Sequence, residues 1–203
     1  MRRSQRVLLA SMLAIAVAVG LSAPGRAQAA PSQAPGPWCG GALWKLMTLS
    51  DSGRSSVKWT PAATSIPDIA ALAAPAKAPS TRATPFQKQV WQVTATIDQF
   101  RVQSNGEIAL VLFDTANSKY MNAYLPNPNC LAKTARGRGE MLAARSALGR
   151  CPKPTLAWQP LGITVQVRGV GFWNPVHTTK GALPTGAELR PVTGLTVVSG
   201  CGI

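Results

Sequence analysis

From Val90 the chain alternates apolar and polar residues with a period of two. Trp91, Val93, Ala95 and Ile97 share one face, and Gln92, Thr94, Thr96 and Asp98 the other. Successive side chains of a strand point to opposite sides, so this predicts a strand with one buried face. Asn105-Gly106 supplies residues that tolerate positive φ and marks a tight turn. Ile108 to Phe113 (IALVLF) predicts a second strand, almost continuously apolar. Asp114 to Ser118 (DTANS) predicts another turn, and Tyr120 to Leu125 a third strand, stopped by Pro126 and Pro128. Residues 132–148 have helical composition, strongest from Glu140 on, weakened early by Gly137 and Gly139 and ended by Gly149. Ile163, Val165 and Val167 alternate with Thr164, Gln166 and Arg168, a fourth strand, and Gly169 and Gly171 near its end predict a bulge or sharp bend. Residues 174–186 are a long loop. A fifth strand starts at Ala187, extended or followed by Leu195 to Val198.

Three strands, a helix and two further strands is the order of a five-stranded OB-like Greek-key barrel with one helix between strands three and four. The expected fold is therefore mainly β, with that barrel over residues 86–203; another small β-barrel or sandwich is the plainer alternative. Residues 30–85 are expected to be a Pro- and Ala-rich leader and N-terminal extension. Residues 30–37 (APSQAPGP) have nothing to bury, whereas 43–60 carry Leu43, Trp44, Leu46, Leu49, Val57 and Trp59 for packing onto the core. Pro67-Asp68 ahead of Ile69 to Leu72 begins one short helix. The rest of the Pro-rich stretch to Pro85 reads as extended linker.

The N-terminus sets the compartment. Arg2, Arg3 and Arg6 precede an uncharged apolar run from Val7 to Leu21, and Ala27-Gln28-Ala29 has the small-residue cleavage pattern. Residues 1–29 are expected to be a secretory signal peptide cleaved after Ala29, because a membrane span needs roughly 20 apolar residues. No stable membrane span is then expected in the processed chain, and its location is secreted or periplasmic. The 203 residues hold 21 Lys plus Arg against 7 Asp plus Glu, a net charge of +14. Cleavage removes four arginines, so the processed chain stands at +10. All four cysteines lie beyond the cleavage site, and export makes disulfides their expected state. Cys130–Cys151, flanking the helical segment, and Cys39–Cys201, tying the two chain ends, are the expected bridges; sequence alone permits the other pairings too.

The positive charge points to an anionic partner: nucleic acid, acidic glycan or an anionic envelope surface. Arg101, Lys119, Tyr120, Lys180 and Tyr124 lie in or beside the strands and loops that OB barrels use for oligomers. Lys133, Arg136, Arg138, Arg145, Arg150 and Lys153 form a basic run opposed only by Glu140, either an anion patch or a solvated helix. Glu188 and Arg190, two apart on a strand, face the same side, either flanking a ligand or as a structural ion pair. His177, the one histidine, is either a ligand-contacting group or a loop residue bonding the backbone of the following turn. Trp38, Trp44, Trp59 and Trp158 fall outside the strand pattern and read as packing anchors.

At residues 169–192 the sequence GVGFWNPVHTTKGALPTGAELRPV resembles a family of small secreted bacterial proteins of unknown function. Its members show Gly-x-Gly-Phe-Phe-Asp, then His-Gly, then Asn-Gly-Ile-Glu-Leu-His-Pro-Val. Trp44 to Asp51 is similar to the family's start, and Ile108 to Asp114 with Tyr120 to Cys130 to its central hairpin. The resemblance implies a secreted single domain and supplies no activity. Here Trp173-Asn174 replaces the aromatic-Asp step and Arg190 the second histidine, so a site built on those groups would be mostly lost.

Two function classes follow. The first is a non-enzymatic binding or structural protein, a monomer without cofactor, holding an anionic ligand with candidate contacts Arg101, Lys119, Tyr120, His177, Lys180 and Arg190. The second is a metal-dependent phosphodiester hydrolase of OB-barrel type, or a degenerate descendant of one, for which Asp114 and Glu188 are the acids most able to approach. No G-x-S-x-G nucleophile pattern or paired-cysteine metal motif occurs.

Overall fold

A computed structural model describes residues 39–41 and 43–201; the expected signal peptide at 1–29 and the leader at 30–37 lie outside the described residues. Among the described residues six strands form one sheet: β1 (Lys58–Ala63), β2 (Gln89–Val102), β3 (Ile108–Asp114), β4 (Lys119–Leu125), β5 (Gln159–Trp173) and β6 (Ala187–Ser199). Among the described residues three short helices accompany them, α1 (Trp44–Met47), α2 (Ile66–Ala70) and α3 (Arg138–Ser146). β2 pairs antiparallel with β3, β3 with β4, β5 with β6 and β2 with β5. β4 meets β6 in parallel at Ala123 and Leu189. The pairings therefore run in a ring, β2-β3-β4-β6-β5 and back to β2. β1 lies outside it, parallel to the start of β2, on the edge that β3 takes further along.

The period-two pattern is realised as expected over most of β2. Val93, Ala95 and Ile97 face the core, and Trp91 packs partly against it. A register shift between Ile97 and Gln99 then displaces the alternation by one residue and turns Phe100 fully inward. Ile108, Leu110 and Leu112 of β3, Met121, Ala123 and Leu125 of β4, and Ile163, Val165 and Val167 of β5 join them. Ile66 and Ile69 of α2 and Ala144 of α3 pack into the same cluster. Burying such side chains contributes on the order of 1.5–3 kcal/mol each, the dominant favourable term. A second cluster lies between the N-terminal segment and α3: Leu49, Val57, Val90, Leu131, Ala135, Met141 and Val170.

Several expectations change. The segment read as linker from Pro61 opens inside β1, because its backbone pairs with β2. The helix expected over 132–148 is shorter: α3 starts at Arg138, after Gly137 takes φ 70°, and a 3-10 turn Ala147–Arg150 extends it. Gly169 and Gly171 do mark irregular register, between β5 and β6.

The cysteines pair differently from expectation. The bridges are Cys39–Cys130 and Cys151–Cys201, with Cα atoms 5.3 and 4.8 Å apart. Sequence proximity misleads here because nine helical residues advance about 14 Å along the axis. α3 packs along β6, so the turn that follows it delivers Cys151 to the end of that strand, where Cys201 follows. Cys130 closes the 3-10 turn after β4, on the side where the N-terminal segment docks, and takes Cys39. Among the described residues no helix is long and apolar enough to cross a membrane.

Candidate functional site

Strand alternation that sends Leu110 and Leu112 inward sends Glu107, Ala109, Val111 and Phe113 to the outer side of β3. On β4 it places Tyr120, Asn122 and Tyr124 there, and on β6 Glu188 and Arg190. Register aligns Ala109 with Arg101 and Tyr124, and Val111 with Asn122. Arg190 is the centre of this face. Its Nε donates to Glu107 Oε1 at 3.2 Å, Nη2 donates to Glu107 Oε2, and Nη1 reaches Glu188 Oε1 at 3.4 Å. Its guanidinium stands 4.3 Å over the Tyr124 ring. Burial by itself lowers the Arg190 pKa, but the two carboxylates outweigh it and hold the group above its ordinary value. Tyr124 is pushed upward, first by burial and then by the charge of Glu188. Asn105 Nδ2 completes the shell around Glu107, donating to Oε2 at 2.6 Å.

The loop 174–186 lies over this face. Asn174 Nδ2 donates to Glu188 Oε2 at 3.4 Å, and His177 Nε2 stands 3.7 Å from the same oxygen. His177 Nδ1 accepts from the Thr179 amide at 3.3 Å, so the histidine bonds the turn that follows it. Gly181 presses so close that a Cβ there would sit 2.7 Å from Asn122 Oδ1. Gly181 also presses on Val111, which is fully buried although it faces away from the core. The chain's own loop thus covers the part of this face around Val111 and Asn122.

The other expected contacts are scattered. Arg101 stacks over the Trp158 ring at 4.6 Å, which accounts for one tryptophan anchor. Tyr120 remains exposed and stacks on Phe113 at 4.5 Å, with Lys119 beyond it paired to Asp114 in register. Asp114 accepts from the amides of Ala116 and Asn117 and holds its own turn, apart from Glu188. Lys180 is exposed in the loop. The structure thus joins His177 to Arg190 through Glu188 and leaves Lys119, Tyr120 and Lys180 at the rim. The basic run is partly consumed: Arg136 donates to the carbonyls of Arg54, Ser55 and Val57, and Arg145 to those of Leu125 and Pro126. Burial lowers the Arg145 pKa. Among the described residues no group of three His, Cys, Asp or Glu is placed to hold a metal.

No protein-family model matches the chain, and no curated protein matches it.

An open cationic groove lies elsewhere, beside β1 and β2. It encloses about 490 Å³ and is lined by Ser56, Lys58, Pro85, Lys88, Gln89 and Trp91 among others, with no carboxylate. Trp91 forms an aromatic wall; its indole N–H donates to the Phe86 carbonyl at 3.0 Å, which fixes the ring. Lys58 and Gln89 are register partners. Sequence reasoning missed this groove because Lys58 and Lys88 are far apart in the chain and meet only through the parallel pairing of β1 on β2. The one available signal was Trp91, whose position at the start of an amphipathic strand makes it the aromatic nearest the strand's end.

Proposed function

We propose that this chain is a secreted or periplasmic, non-enzymatic binding protein whose ligand is a polyanion, held in the groove of Lys58, Lys88 and Trp91. One observation carries the reading: two lysines and a fixed aromatic ring share a groove of ligand size in which no acid opposes them. Base or sugar rings stack on such a wall while the lysines meet phosphates or sulfates. We read the strand ring as an OB-like Greek-key barrel. The ring order β2-β3-β4-β6-β5, with α3 between β4 and β5, supports this. Export is supported by the N-terminal pattern and by the two disulfides. The motif over residues 169–192 supports membership of the small secreted family it resembles. No observation favours the hydrolase: Glu107 and Glu188 are committed to Arg190 and Asp114 to its own turn.

The test is fluorescence anisotropy of a labelled single-stranded oligonucleotide and a labelled sulfated glycan, titrated with protein across a salt series. Affinity is expected to fall steeply with salt. Lys58→Gln with Lys88→Gln should weaken it and flatten the log–log slope by about 1.4 for the oligonucleotide, two contacts at roughly 0.7 each. Absence of binding at low salt overturns the reading. A loss confined to Lys119→Gln with Lys180→Gln overturns the groove.

A further inference from the structure

A second cavity, of about 420 Å³, lies between the end of β5 and the loop segment 74–78. Its walls are largely apolar: Ala74 and Ala76 on one side, Trp173, Val176 and Pro184 on the other, with Leu43 completing them. Trp173 is buried, and its indole N–H donates to Thr84 Oγ1 at 2.9 Å, so this wall is preformed. The alanines opposite carry nothing beyond Cβ, which keeps the space open. Val176 is 73% exposed at the rim, an apolar side chain that a ligand would take out of water. Lys77 is the one charged residue of the lining and has no ion-pair partner among the described residues. Asn174 and Thr185 add polarity without charge.

We propose that this cavity binds a small amphipathic carboxylate. Its alkyl chain lies against Trp173, Val176 and the alanines, and its carboxylate meets the Lys77 ammonium. Charge complementarity selects the acid: the lining offers one cation and no carboxylate. The volume is toward the lower end of the roughly 300–1,000 Å³ typical of small-molecule sites, which suits a single short chain. The site shares no lining residue with the Lys58 and Lys88 groove, so each stands or falls on its own.

Isothermal titration of the purified protein with hexanoate, octanoate and decanoate tests it. Each buried methylene is expected to tighten binding about fourfold. Lys77→Met should weaken octanoate about two- to fivefold and leave 1-octanol unchanged. Ala76→Trp, at an exposed position, should fill the cavity and abolish binding of both with the melting temperature unmoved. Oligonucleotide affinity should be the same in both variants. No saturable binding of decanoate, an affinity indifferent to chain length, octanoate binding untouched by Lys77→Met, or full binding retained by Ala76→Trp would each overturn the proposal.

Discussion

Arg190 shows how far a single residue's role depends on its neighbours. As a strand arginine two positions from Glu188 it reads either as a ligand contact or, in preference, as half of a structural ion pair. The deciding group is Glu107, 83 residues earlier, which no local pattern associates with it. Two buried carboxylates more than balance the charge of this guanidinium, so Arg190 acts as an organiser of the covered face. The same cluster sets the behaviour of Tyr124. Its folded pKa is raised, by burial first, so the fold favours the protonated phenol. The contribution is complete below about pH 10, where the unfolded tyrosine titrates, and is lost as pH climbs from there through the folded value. Between pH 9 and 11 the unfolding free energy of the native sequence should therefore fall by about 1.4 kcal/mol more than that of Tyr124→Phe. Urea unfolding of the two proteins between pH 9 and 11 measures the difference; parallel curves would mean that Tyr124 ionises freely in the fold.

At the scale of elements, period-two patterning located β2 and β5, because a strand with one face on a core must alternate, while a continuous apolar run and flanking turn residues located β3 and β4. It failed where the geometry breaks. Phe100 is buried through a register shift, which alternation does not anticipate. β1 escaped notice because its residues are mostly exposed; its reason for being a strand is the backbone pairing with β2, not burial. The glycines of β5 were legible as an irregularity, but their partner was not. A Cβ on Gly171 would collide with the backbone carbonyl of Phe86, whereas one on Gly139, in the first turn of α3, meets nothing. Gly171→Ala should therefore cost about 1–3 kcal/mol by overpacking, and Gly139→Ala should stabilise by up to about 1 kcal/mol through helix propensity. Thermal denaturation of the two variants should move the melting temperature in opposite directions; a stabilised Gly171→Ala would show that the turn at Phe86 yields easily.

The whole molecule is held by contacts between segments distant in the chain. Arg136 ties the turn after α1 to the start of α3 through three carbonyls, and Arg82 reaches Asp51 at 2.8 Å in a buried pair. The bridges act at the same scale, closing separations of 91 and 50 residues. In the chain-entropy account each stabilises by about 4 kcal/mol. Proteolysis of unreduced protein should release linked peptides containing Cys39 with Cys130 and Cys151 with Cys201. Replacing Cys151 and Cys201 by serine should lower stability by about that amount. Recovery of a Cys130–Cys151 peptide would contradict the way α3 lies along β6. Composition and alternation by themselves determined that the chain is mainly β, where its long strands run, and that it carries excess positive charge, because these depend only on local periodicity and on counting. Tertiary structure alone decided which cysteines meet, that the loop 174–186 covers Val111 and Asn122 on the outer face, and that Lys58, Lys88 and Trp91 share an open groove. Those outcomes turn on which strand edges pair and how a loop packs, and such long-range contacts leave no trace in the spacing of neighbouring residues.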